Sequence, residues 1–110
     1  MAPLKDFRSQ QDTHRRGRTA EQDGIDWLEG EGYLIVDRNV RFRAGEIDVV
    51  ALDGDTLCFV EVKARSGRIC GDAVYAVTIQ KQRQLVRLAS LYLLKRCWDG
   101  PSRFDVLAME

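Results

Sequence analysis

Three charged residues, Asp48, Glu61 and Lys63, stand inside an otherwise apolar stretch at positions 45–63, GEIDVVALDGDTLCFVEVK. The stretch reads as two β-strands around a tight turn. Glu61 and Lys63 then share one strand face, while Val60 and Val62 point to the other. Charges embedded in apolar strands are costly unless they are paired or hold a metal. A two-residue loop at Gly54-Asp55 pairs Asp53 with Thr56 and, counted back, Asp48 with Glu61. Opposed residues of an antiparallel pair lie ~4.5–5.5 Å apart at Cβ. Moving the loop to Asp53-Gly54 pairs Asp48 with Phe59 and Glu46 with Glu61, with both carboxylates still on one face. A plain three-residue loop separates Asp48 from Glu61 unless a bulge repairs the register. Opposed carboxylates repel unless a cation joins them. Lys63 brings one positive charge, and a divalent metal brings more.

Two carboxylates and a lysine at the end of a hairpin suit metal-assisted phosphodiester hydrolysis. Mg²⁺ prefers oxygen ligands and retains several waters, so Asp48, Glu61 and a backbone carbonyl suffice to hold it. Mn²⁺ suits the same donors. Such an ion activates a water, stabilises charge on the phosphate and orients the attack. Lys63 would hold or help deprotonate that water and offset charge developing on phosphorus. Glu46 shares a face with Asp48 and is read either as a strand-edge charge or as a support behind the ligands. A lone Glu-x-Lys is a weak signal, because alternating charges on strands usually form surface ion pairs. The full string GEIDVVA, a short turn, then FVEVKAR is far more specific, since each part has a place on one hairpin.

The elements that must position these residues follow from periodicity. The first 12 residues are polar and expected to fray. Thr13 is read as the cap of a helix running to about Gly30, with Ala20, Gly24, Trp27 and Leu28 on one stripe. Gly24 costs that helix up to ~1 kcal/mol relative to alanine and permits close packing on a sheet. Residues 33–42 read as a strand, 46–52 and 56–65 as the hairpin, and 66–75 as a loop. Thr78 caps a long helix reaching about Cys97, with Val86, Ala89, Leu93 and Cys97 at helical spacing. Asp99-Gly100-Pro101 stops it, and residues 103–109 read as a last strand, whose Asp105 accepts hydrogen bonds near the sheet end. The order α-β-β-β-α-β, with a helix long enough for a crossover, predicts an α/β domain in which a mixed sheet is flanked by helices.

The chain has 110 residues, one domain's worth, with 45% apolar and 31% charged residues. No apolar run approaches the ~20 residues of a membrane span, and no signal peptide is read at the N-terminus. The three cysteines (Cys58, Cys70, Cys97) form neither a disulfide framework nor a zinc pattern. A reducing, cytoplasmic setting without membrane attachment is expected. The formal net charge is zero, yet charge is segregated: residues 21–55 are strongly acidic and residues 56–98 strongly basic. The second helix carries Lys81, Arg83, Arg87, Lys95 and Arg96 and no acidic residue. Lys81, Gln84 and Arg87 recur every three residues. The face they form is read either as a solvated surface or as a line of phosphate contacts along nucleic acid. Arg65 and Arg68 after the Glu-x-Lys strand, and Arg15, Arg16 and Arg18 near the first helix, are further candidates for phosphate contact.

These motifs resemble the restriction-endonuclease-like superfamily with its PD-(D/E)xK signature and, more narrowly, the small bacterial YraN-like proteins. The resemblance spans about Gly17 to Ala108. AEQDGIDWLEGEGY, RNVRFRAGEIDVVA, LCFVEVKAR and the terminal RFDVLA carry it. It implies a restriction-endonuclease-like α-β-β-β-α-β core, metal ligands at Asp48 and Glu61, and a catalytic lysine at Lys63. An acidic residue on the first helix often completes such sites, as in archaeal Holliday-junction resolvases, and Glu21 is the matching position. On the residues alone, Glu21 suits an i,i+3 surface pair with Arg18 equally well. Ile47 stands where the superfamily motif often has proline, and Ala20 replaces the glycine usual before the helix glutamate of YraN-like proteins. Neither change removes a catalytic group. The expected function is a Mg²⁺- or Mn²⁺-dependent endonuclease acting on nucleic acid, DNA in preference to RNA, with structure-selective or non-specific action and with a homodimer as one arrangement for cutting two strands. The alternatives are a non-catalytic nucleic-acid-binding protein of the same fold and a protein–protein adaptor on that fold.

Overall fold

The computed structural model describes residues 19–64 and 78–109. Arg15, Arg16, Arg18, Arg65, Arg68, Cys70, the 66–75 loop and the N-terminal segment lie outside the described residues. The elements run α1 (Ala20–Gly30), β1 (Leu34–Phe42), β2 (Gly45–Asp53), β3 (Thr56–Ala64), α2 (Ile79–Arg96) and β4 (Ser102–Met109). The strands form one sheet in the order β1-β2-β3-β4. The first three are antiparallel and β4 runs parallel to β3. A parallel neighbour requires a crossover, which the segment containing α2 supplies. The expected α-β-β-β-α-β order and mixed sheet are those observed.

The helices cover opposite sheet faces. Ile25, Trp27 and Leu28 of α1 pack on Val49, Ala51, Cys58, Val60, Leu107 and Met109. Leu88, Ala89 and Tyr92 of α2 pack on Val50, Leu57 and Phe59, with the Phe59 and Tyr92 rings edge to face at 5.7 Å. Two details correct the expectations. The helix α1 is capped by Thr19, which is extended and accepts the Gln22 N–H at 3.0 Å, so the helix begins after Thr19 and not after Thr13. Acidic Glu21 and Asp23 then lie in its first turn, where the helix dipole favours them. On α2 the buried stripe is Leu85, Leu88, Ala89 and Tyr92, whereas Val86 and Cys97 are exposed. Apolar residues occur on more than one side of this helix, and the sheet selects the side that meets Phe59.

The β2–β3 turn is the two-residue Gly54-Asp55 loop with Asp53 opposite Thr56. Gly54 takes φ +62°, the positive φ that a tight hairpin loop demands. Gly24 lies against the sheet so closely that a Cβ there would meet Leu107 and Val62 at 3.2 and 3.3 Å. It brings α1, and Glu21 with it, close to β3.

Candidate metal centre

The centre forms where β2 and β3 part. Their ladder runs from Asp53–Thr56 to Val49–Val60. Two residues further along β3, the Val62 N–H donates to the Asp48 carboxylate at 2.9 Å. Alternation along β2 breaks at the same place. Ile47 and Val50, three apart, both pack in the α2-side core, although strand residues three apart normally face opposite sides. On β1, Asn39 lies between Arg38 and Val40, which pair with Val49 and Ile47, so it stands opposite Asp48. Asn39 has φ +52°, a left-handed conformation that asparagine tolerates better than most residues. These irregularities leave Asp48 in the gap between strands, exposed to groups from both faces of the sheet.

From the α1 side come Glu21 and Glu46. One carboxylate oxygen from each of Glu21, Glu46 and Asp48 lies within 4.8 Å of the others, and all three residues are half-buried. The Asn39 side chain hydrogen-bonds to Glu21, and Arg38 lies 3.8 Å from it. Arg41 binds Glu46 at 3.3 Å. From the α2 side come Glu61, Lys63 and Lys81. Glu61 lies 3.7 Å from the Lys81 ammonium. Glu61 is not one of the three residues grouped within 4.8 Å, but the Asp48 charge acts on it.

Crowded like charges leave an electrostatic signature. Burial raises the Asp48 carboxyl above its ordinary range. The Val62 amide opposes that shift, Glu46 adds to it, and the Lys81 and Lys63 charges offset part of it. Glu61 is raised by burial and then by Asp48, against the pull of Lys81 and Lys63. Glu21 is raised by burial, then by Asp48 and more weakly by Glu46, with Asn39 and Arg38 opposing. Burial first, and neighbouring carboxylate charge after it, raises all three carboxyls, so the site is short of positive charge. Hard oxygen donors at this spacing fit Mg²⁺ or Mn²⁺, since octahedral coordination at ~2.1 Å places ligand oxygens roughly 3–4 Å apart. A small contraction of the cluster would close it on such an ion.

Asp48, Glu21 and Glu46 thus converge. Glu61 and Lys63 adjoin them from the other side, and Lys81 is drawn in by its ion pair with Glu61. Arg87 lies farther along α2, in a groove of about 620 Å³ lined by Ala44, Thr78, Lys81, Arg83, Gln84 and Arg87 among others. Two positioning roles, those of Asn39 and Gln84, are not evident from the sequence pattern. An asparagine inside a strand is an unusual choice, and that alone pointed to Asn39. Gln84 was noticed only for its spacing. Its side-chain amide donates to the Ala44 carbonyl at 2.7 Å and holds the β1–β2 turn against α2.

Comparison with known proteins sets the chain among relatives of similar length. It is 52% identical over 99 residues to a UPF0102 protein of Symbiobacterium thermophilum, covering 89% of this chain and 84% of that one. It is 48% identical over 94 residues to a UPF0102 protein of Chlorobium chlorochromatii, covering 86% and 73%. It is 44% identical over 96 residues to a UPF0102 protein of Pseudomonas putida, covering 86% and 78%. Residues 20–109, from the start of α1 to the end of β4, match the description of one family as a whole. The chain belongs to the family described as "Uncharacterised protein family UPF0102".

Proposed function

We propose that this chain is a metal-dependent nuclease of the PD-(D/E)xK type that hydrolyses phosphodiester bonds of nucleic acid in the cytoplasm. The observation that carries the reading is the convergence of Glu21, Glu46 and Asp48 within 4.8 Å at the end of a strand pair that also presents Glu61 and Lys63. In this reading Asp48, Glu21 and Glu46 hold the cation, with Glu61 available beside them. When bound, a divalent cation supplies Lewis acidity and charge stabilisation at a phosphoryl group. The remaining tasks belong to the chain. Lys63 would orient the attacking water, whose oxygen bonds to phosphorus while its proton passes to solvent; the ester P–O bond breaks and the leaving oxygen takes a proton from solvent. Its ammonium also offsets charge gathering on the phosphoryl oxygens. Lys81, Arg83 and Arg87 line the groove beside Glu61 and would hold backbone phosphates without reading sequence. DNA is the preferred polymer and Mg²⁺ or Mn²⁺ the cation. No separate sequence-reading element occurs among the described residues, which favours structure-selective or non-specific cutting.

The test is to assay wild type and Asp48→Ala with Mg²⁺ and Mn²⁺ on linear, flapped and four-way DNA and on structured RNA. Cleavage by wild type but not by the variant is expected. Binding without cleavage by wild type would establish the silent nucleic-acid-binding alternative instead, and equal cleavage by both proteins would indicate a contaminant.

A further inference from the structure

The structure pairs Glu61 with an ammonium. Lys81 Nζ lies 3.7 Å from Glu61, with the lysine side chain 36% exposed and the glutamate 13%. Lys81 stands in the first turn of α2, where its backbone N–H donates to the Thr78 cap at 3.0 Å. The cap therefore fixes the backbone of Lys81, while the end of its side chain is partly open to solvent. The same residue lines the groove with Arg83 and Arg87, and its charge also acts on Asp48. It thus stands between two acceptors of positive charge, the carboxylate cluster and a basic groove suited to phosphate.

We propose that Lys81 is a displaceable counter-ion, neutralising Glu61 in the metal-free protein and passing to a backbone phosphate in the adjoining groove when a divalent cation enters beside Asp48. This rests on the reading of the Asp48 cluster as a cation site. Two consequences follow. Lys81 competes with the metal for Glu61, and it lets metal and polyanion favour one another's binding through a single flexible side chain. A lysine suits this role, being a compact charge on a four-carbon stem and not a fixed fork. Coupling of this kind is reciprocal, so either ligand can report it.

The experiment measures Mn²⁺ affinity by calorimetry for wild type, Lys81→Met, Lys81→Arg and Asp48→Asn. It also measures binding of a labelled duplex oligonucleotide with and without Ca²⁺, a hard cation that takes the same oxygen donors. Lys81→Met is expected to bind Mn²⁺ about two- to fivefold more tightly than wild type, the size of a removed partly exposed ion pair. Lys81→Arg should stay near wild type. The gain in oligonucleotide affinity produced by Ca²⁺ should shrink at least about twofold in Lys81→Met, as expected from one lost phosphate contact. A merely structural role would weaken Mn²⁺ binding in Lys81→Met, and that result or an unchanged affinity would overturn the proposal. If wild type binds Mn²⁺ and Asp48→Asn does not, such a failure falls on Lys81 alone. If wild type binds no Mn²⁺, both the proposal and the cation site fall.

Discussion

Asp48 keeps its carboxylate beside Glu21, Glu46 and Glu61 because a backbone amide and two lysine charges offset part of the repulsion. The remainder has a pH signature. Asp48, Glu61 and Glu21 hold protons more tightly in the folded state than in the unfolded chain. Their protonated forms therefore favour folding fully below the ordinary carboxylate range, and that contribution is lost as pH rises through the raised folded values. Asp48→Asn keeps an acceptor for the Val62 N–H and removes the charge. It should stabilise the metal-free protein at neutral pH by about 0.5–1 kcal/mol and flatten the pH dependence of its denaturant midpoint. A destabilised variant would show that the cluster is not strained by charge. Metal binding requires deprotonated ligands, so Mn²⁺ affinity should rise with pH through the same window. Asp48, Glu61 and Lys63 were legible because charges in apolar strands demand a reason. The nearness of Glu46 and Glu21 to Asp48 was less so, because the break in alternation between Ile47 and Val50 has no signature in a period-two reading.

Element geometry decides whether these carboxylates meet. The β1–β2 turn is pressed against α2. A Cβ on Gly45 would lie 2.7 Å from the Gln84 amide nitrogen, and Gly45 sits at φ +148°, which side chains rarely adopt. Gly45→Ala should therefore lower stability by more than ~1 kcal/mol, and Gln84→Ala should cost about 1 kcal/mol through the unsatisfied Ala44 carbonyl. Chemical denaturation measures both, and a neutral Gly45→Ala would show that the turn is not clamped. At α1, Gly24→Leu should cost about 1–3 kcal/mol, because the side chain must enter filled space, and should weaken Mn²⁺ binding by lifting Glu21 off the sheet. The hairpin turn was legible as one of two two-residue loops, Gly54-Asp55 or Asp53-Gly54, and the first is observed; the ladder ends at Val49–Val60, so the expected Asp48–Glu61 pair lies beyond it. The start of α1 was misread because two threonines precede good helix formers, and the helix that ends at Gly30 takes its cap from Thr19. The buried face of α2 was legible in part: Ala89 and Leu93 do meet the core, whereas Val86 and Cys97 are exposed because apolar residues lie around much of that helix.

Across the whole molecule, the acidic and basic blocks of the sequence become neighbours. The acidic block supplies Glu21, Glu46 and Asp48, and the basic block supplies Lys63, Lys81, Arg83 and Arg87. Opposite charge around one cleft attracts a cation and a polyanion to the same place. Binding of duplex DNA should weaken with salt, and Arg83→Ala with Arg87→Ala should reduce the log–log salt slope by about 2 while weakening binding to all sequences alike. An unchanged slope would remove the groove from the binding surface. The charge blocks were legible from composition, but their junction was not, since it depends on the sheet order and on α2 crossing back over β3. No described helix is long and apolar enough to cross a membrane. The central claim, a divalent cation held at Asp48, is tested most directly by anomalous diffraction from a crystal soaked in Mn²⁺. The account predicts a peak among the Glu21, Glu46 and Asp48 carboxylates, with the Lys81 ammonium moved off Glu61. A peak elsewhere, or none at millimolar Mn²⁺, would contradict it.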